Sequence, residues 1–110
     1  MNTLRNKVQL IGNLGNDPEI INLESGKTLA KFSIATNESY KDANGQKQTN
    51  TNWHNIVAWG KTAEIVEKFV TKGKEVAIEG KLTTRSWEDK DGIKRYVTEV
   101  VCNELLMLGK

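Results

Sequence analysis

One proline, one cysteine and one histidine are all that this 110-residue chain holds of the residues that most often make rigid turns, covalent staples and proton or metal chemistry. A lone thiol excludes an internal disulfide and any cysteine-rich metal site, and it is the usage of a reducing compartment. The Cys102 context, Val100-Val101-Cys102, is that of a buried small hydrophobe rather than an activated thiolate. His54 follows Trp53 in a strand-like run, so its ring points to the opposite sheet face and reads as a packing or interface residue, not a base. The acids Glu24, Glu64, Glu67, Glu99 and Glu104 are scattered over different elements. With no nucleophile–base pair, paired acids or metal set in view, the chain is expected to be non-enzymatic and without cofactor. Gly12-Asn13-Leu14-Gly15 lacks the spacing of a phosphate-binding loop and has no helix after it. Long apolar runs are missing too: none approaches the ~20 residues of a membrane helix. The Met1–Lys7 segment carries no apolar stretch of signal-peptide type, so a cytoplasmic protein without a membrane partner is expected. Charge of one sign is also scarce, 16 Lys+Arg against 14 Asp+Glu giving a net +2. A nucleic-acid contact would need local positive charge and something besides phosphate attraction.

What the sequence does have is strand patterning over a single domain, 1–110, with no linker or low-complexity tract. Lys7–Leu14 alternates Val8, Leu10, Gly12 and Leu14 against Gln9, Ile11 and Asn13, a first strand, and Asn16-Asp17-Pro18 then makes a turn. Thr28–Tyr40 sets Ala30, Phe32 and Ile34 against Lys31, Ser33 and Ala35. Lys41–Asn52 is polar, contains Asn44-Gly45 and reads as a long exposed hairpin. A third strand holds Trp53 and Trp59, and Thr62–Lys72 follows as a helix with Thr62 as N-cap and Gly73 as its stop. In Glu75–Trp87 the inward set is Val76, Ile78, Gly80 and Leu82, opposite Lys81, Thr83, Arg85 and Trp87. A turn at Glu88–Gly92 leads to a last strand, Ile93–Leu108, with Tyr96, Val100 and Cys102 on one parity. Five strands with one short helix between the third and fourth is the order of an all-β OB-fold, a small Greek-key barrel.

The even spacing of Trp53 and Trp59 puts both indoles on one strand face. Two readings are open for that segment alone: core residues, or a flat apolar platform edged by Lys61 on which unpaired bases stack. Tyr40 closes the second strand and Trp87 the fourth, both beside polar turns and poorly placed for a core. Lys41, Lys61 and Arg85 lie next to Tyr40, Trp59 and Trp87 in sequence. Rings interleaved with cations at strand ends suit single strands, whose bases offer free faces, while a duplex hides them. Asn55 falls between the two indoles by parity and argues against a purely apolar face.

Residues 6–19, Ala35–Tyr40, Trp53–Val57, Gly60–Glu64, Ile78–Leu82 and Tyr96–Val100 occur in an order that closely resembles the bacterial single-stranded DNA-binding proteins, from about Asn6 to Gly109. The resemblance implies an OB-fold, usually assembled as a homotetramer, with a homodimer the alternative. It also implies coating of single-stranded DNA without sequence preference in replication, recombination and repair, at the nucleoid in the bacterial cytoplasm. It places base-stacking rings at Tyr40, Trp53, Trp59 and Trp87, where the family has Trp, Trp, commonly Phe, and Trp. Lys7, Lys41, Lys61, Lys72 and Arg85 are the candidate phosphate contacts, Ser86 standing where a Lys often precedes the last Trp. His54 falls where the family has a His tied to subunit assembly. Family members normally continue into a flexible linker and an acidic tip that recruits other proteins. This sequence ends at Leu108-Gly109-Lys110, so recruitment through such a tail is not expected of it.

Overall fold

A computed structural model describes residues 5–108. Its elements are β1 (Val8–Leu14), β2 (Glu19–Asn22), β3 (Thr28–Lys41), β4 (Lys47–Trp59), α1 (Gly60–Phe69), β5 (Glu75–Glu88) and β6 (Lys94–Met107). The strands form one sheet in the order β1-β5-β6-β4-β3-β2, and β1 pairs back onto β3 through Asn13↔Ala35 and Leu14↔Ile34. That return closes β1, β3, β4, β5 and β6 into a five-stranded barrel, the OB architecture, with α1 between its third and fourth strands. Gly12 permits the closure, since a Cβ there would strike the Ala35 carbonyl. The sheet is antiparallel except for a short parallel seam, Ile56–Ala58 of β4 against Val100–Cys102 of β6.

Alternation fills the barrel. Leu14, Ala30, Phe32, Ile34, Ile56, Ala58, Val76, Ile78, Val100 and Cys102 point inward and are buried. Helix α1 plugs one end with Ala63 and Val66, followed by Val70 at its C-cap, while Ile65 and Phe69 lie exposed on its flanks.

Several sequence expectations shift. The helix starts two residues before Thr62, because β4 passes straight into it at Gly60, whose φ of 60° suits glycine. Trp59, not Thr62, occupies the N-cap position, and no side chain caps the helix. The helix ends at Phe69, so Gly73 instead shapes the turn into β5, donating its N–H to the Leu14 carbonyl. A short strand unforeseen in the sequence, β2, pairs with Thr28–Lys31. The polar Lys41–Asn52 segment is the exposed hairpin expected of it, with pairing running from Leu29↔Trp59 out to Lys41↔Lys47. Leu82 carries the inward parity of β5 yet is exposed: the β1–β5 ladder ends at Val8↔Gly80, so Leu82 lies past the last β1 partner of its strand. Tyr96 is exposed because it lies on the β5–β6 hairpin beyond the β4–β6 seam, which begins at Val100.

Two hairpin arms therefore project, β3–β4 and β5–β6, and their turns are built alike. Asp42 accepts the backbone N–H groups of Asn44 and Gln46, and Asp89 those of Asp91 and Ile93. Each carboxylate locks its turn as an Asx-type anchor.

Candidate nucleic-acid interface

Strand alternation decides which rings meet solvent together. On β4 the inward set is His54, Ile56 and Ala58, so Trp53, Asn55, Val57 and Trp59 face outward. Trp53 is 61% and Trp59 44% exposed, neither part of the core. On β5 the outward set is Lys81, Thr83, Arg85 and Trp87, and Trp87 is 49% exposed. Strand β6 lies between them: Val57 is level with Val101, Thr83 with Glu99 and Trp87 with Arg95. The three indoles thus share one continuous outer face across β4, β6 and β5. Between them Asn55, Val57, Val97 and Glu99, with Lys31, Asn16 and Glu19, line a concavity of about 220 Å³. Val57 is outward by parity yet buried at the floor of this hollow.

Tyr40 is separated from this group. It stands level with Gln48 while Trp53 stands level with Ala35, and the odd offset puts Tyr40 on the reverse of the β3–β4 arm. It is 49% exposed there. Tyr96 occupies the corresponding reverse face of the other arm, with the Lys94 ammonium 5.7 Å from its ring centroid, a cation–π contact that sequence reading missed.

The five candidate phosphate contacts divide by their partners. The Lys7 ammonium lies 3.1 Å from Glu79, and the Arg85 Nε–H donates to Glu99 at 2.9 Å. Lys41, Lys61 and Lys72 form no ion pair among the described residues, and all three are exposed. Lys41 faces Lys47 across the arm, so that end of the β3–β4 hairpin is locally positive. Lys61 follows Trp59 by two residues in the first turn of α1. Lys72 is held at its backbone, where its N–H donates to Asp17 Oδ1 at 2.8 Å. Sequence reading also passed over Lys31 in the hollow and Glu99 beside Arg85. Both are brought in by pairings between strands far apart in the chain.

His54 sits on the inward parity where the arm leaves the barrel, half-buried, with Nε2 2.9 Å from Thr36 Oγ1. It does not share a face with the indoles. Cys102 is buried, and burial pushes its thiol up to about 11. Among the described residues no three His, Cys, Asp or Glu side chains gather as a metal site, and no helix is long and apolar enough to cross a membrane.

A closed five-stranded OB barrel with exposed indoles on one sheet face and cations around it defines a class, the barrels that present aromatic surface to flexible ligands. The comparisons narrow it. Residues 5–108 match the family model described as the single-strand binding protein family, and the chain belongs to that family. It is 53% identical over 105 residues to "Single-stranded DNA-binding protein 1" of Chlorobaculum tepidum, covering 94% of this chain and 65% of that protein. It is 47% identical to the Xylella fastidiosa protein of the same description, covering 96% of this chain and 78% of that one. The chain therefore spans just under two thirds of the first relative's length. Among solved structures, that of Plasmodium falciparum SSB in complex with ssDNA is similar with a TM-score of 0.89 and 34% identity, covering 99% of this chain and all of that one.

Proposed function

We propose that this protein coats single-stranded DNA without sequence specificity, stacking bases on Tyr40, Trp53, Trp59 and Trp87 and neutralising phosphates with Lys7, Lys41, Lys61, Lys72 and Arg85. The observation that carries the reading is the continuous face holding three exposed indoles in a member of the single-strand binding protein family. Each stacked base contributes about 1–3 kcal/mol, and every base has a face to stack, which gives affinity without sequence readout. Tyr40, on the reverse of the β3–β4 arm, then serves a strand that passes around that arm. Lys41 and Lys47 supply positive charge at the bend. Lys7 and Arg85 exchange a carboxylate for a phosphate when DNA arrives. The chemistry needs no enzymatic step, and it serves replication, recombination and repair at the nucleoid in the cytoplasm.

Titration with oligothymidine tests this directly. Tryptophan emission falls on binding and affinity declines with salt, with a slope of about −0.7 per phosphate neutralised. Unchanged emission at low salt would sink the proposal.

The working form is a homotetramer, with a homodimer the alternative. Two features support self-association. The second edge of β1 over Val8–Gly12 is unpaired among the described residues, and Ile11, Ala77 and Leu106 form an outward apolar row across β1, β5 and β6. That row lines a groove of about 620 Å³ beside Ile65 of α1. His54 is the other candidate interface residue. Light scattering with and without a long oligonucleotide gives subunit count and stoichiometry, and a monomer at micromolar concentration would refute the assembly.

A further inference from the structure

We propose that Gly15 is a positioning residue for nucleic-acid binding: its missing side chain lets the turn after β1 back the Trp53 indole and set the ring for an incoming base. The inference rests on the reading of Trp53 as a stacking residue. A Cβ built on Gly15 would lie 2.7 Å from Cη2 of Trp53, nearer still to Cζ3, and 3.5 Å from Cε3. All three atoms belong to the six-membered ring, so the glycine backbone lies against the outer part of the indole. Gly15 is not among the glycines with positive φ, so no left-handed backbone calls for glycine there. What excludes a side chain there is the ring.

The turn is the stiffer partner of the two. The Gly15 N–H donates to the Ser33 carbonyl at 3.1 Å, and the Ser33 hydroxyl donates to Asn16 Oδ1 at 3.3 Å. Asp17 on the same turn accepts the Lys72 N–H. Ser33 is level with Asn55, two residues from Trp53, so the turn is tied to the strands that carry the indole. A methyl group at position 15 would therefore move the ring and leave the turn in place. Trp53 remains 61% exposed, so ring surface away from the turn is free for a base. A ring parked in advance loses less rotamer freedom on binding than a free one, and that difference appears as affinity.

The test is a cycle of Gly15→Ala with Trp53→Phe, plus Trp53→Ala, read by oligothymidine affinity, tryptophan emission and thermal melting. Phenylalanine stops short of the outer indole carbons, so the added methyl meets nothing in that background. Gly15→Ala alone is expected to weaken binding about five- to thirtyfold, a share of one stacked base, with a shifted emission maximum and near-normal melting. In the Trp53→Phe background it is expected to change affinity less than about twofold. Equal effects in both backgrounds, or none in either, overturn the proposal. If Trp53→Ala weakens binding while Gly15→Ala is silent, only this inference falls. If Trp53→Ala is itself silent, the stacking reading fails and takes the inference with it. Should Gly15→Ala fail to fold, recovery of folding by Trp53→Phe supports the clash, and failure of both variants refutes it.

Discussion

Glu99→Gln is expected to tighten DNA binding, by an amount set by salt. In the free protein the Arg85 guanidinium is held 2.9 Å from a Glu99 carboxylate that is only 12% exposed, while Arg85 itself is 53% exposed. The arginine is thus reachable but already neutralised, and a phosphate approaching Trp87 must compete with a fixed carboxylate. Gln keeps the size and an acceptor oxygen and removes the charge. If one more phosphate is neutralised as a result, the salt slope steepens by about 0.7. Extrapolated from 1 M salt, that slope corresponds to about fivefold tighter binding at 0.1 M and about 1.6-fold at 0.5 M. Stability should change little, since a pair with one partner this exposed is worth at most about 1 kcal/mol. The assay is an oligothymidine titration at four salt concentrations, wild type beside variant, with melting curves as control. Unchanged affinity at 0.1 M, or a gain that does not shrink with salt, would show that Arg85 takes no part in neutralising phosphate.

Alanine at Trp53 or Trp87 should weaken oligothymidine binding by about 1–3 kcal/mol each with small effects on melting, because both rings are exposed. Alanine at Tyr40 should cost less, and a loss at Tyr40 larger than at Trp53 would reverse the proposed ranking. The fold should lose stability on acidification. Asp42 is held below its ordinary value of 3.8 chiefly by the Gln46 N–H, and Asp89 chiefly by the Ile93 N–H and then the Arg95 guanidinium. A carboxyl lowered in the folded state contributes above its unfolded value, and that contribution disappears as pH falls through the folded one. Melting temperature should therefore drop from pH 5 to pH 3, and Asp42→Asn with Asp89→Asn should flatten the decline; an undiminished decline would place its origin elsewhere. Cys102, with a thiol near 11, is about one part in a thousand thiolate at pH 8 and should react with thiol reagents only on unfolding. Immediate stoichiometric labelling would contradict its burial.

The barrel was legible in the sequence because its strands are buried on one face only, so apolar alternation in β1, β3 and β5 reports inside and outside directly. The same rule misled at Leu82, since alternation continues along a strand after the core it faced has ended. The helix start was misplaced because Thr62 resembles a cap, whereas Gly60 lets the strand turn into the helix with no cap at all. The indoles were found from spacing, a local property. Their arrangement depends on the parallel seam between β4 and β6 and on the register of the long arms, neither written in any local pattern. For the same reason the partners of Lys7 and Arg85, and the contact between Gly15 and Trp53, appear only once distant strands are paired.

The parallel seam is only three residue pairs long, yet it joins the strand carrying Trp53 and Trp59 to the hairpin carrying Trp87. It works as a fulcrum with a long lever on one side. Leu82 is level with Val100 in the seam, and Trp87 lies five residues further out, about 17 Å at the rise of a strand. A tilt of about 10° at the seam would swing Trp87 by about 3 Å, close to the ~3.4 Å spacing of stacked bases. Packing changes at Ile56, Ala58, Val100 or Cys102, none of which touches solvent to any extent, would be magnified at the tip into a misaligned ring. The spacing of the aromatic surface is thus set from inside the barrel, and its tolerance is that of a tightly packed core.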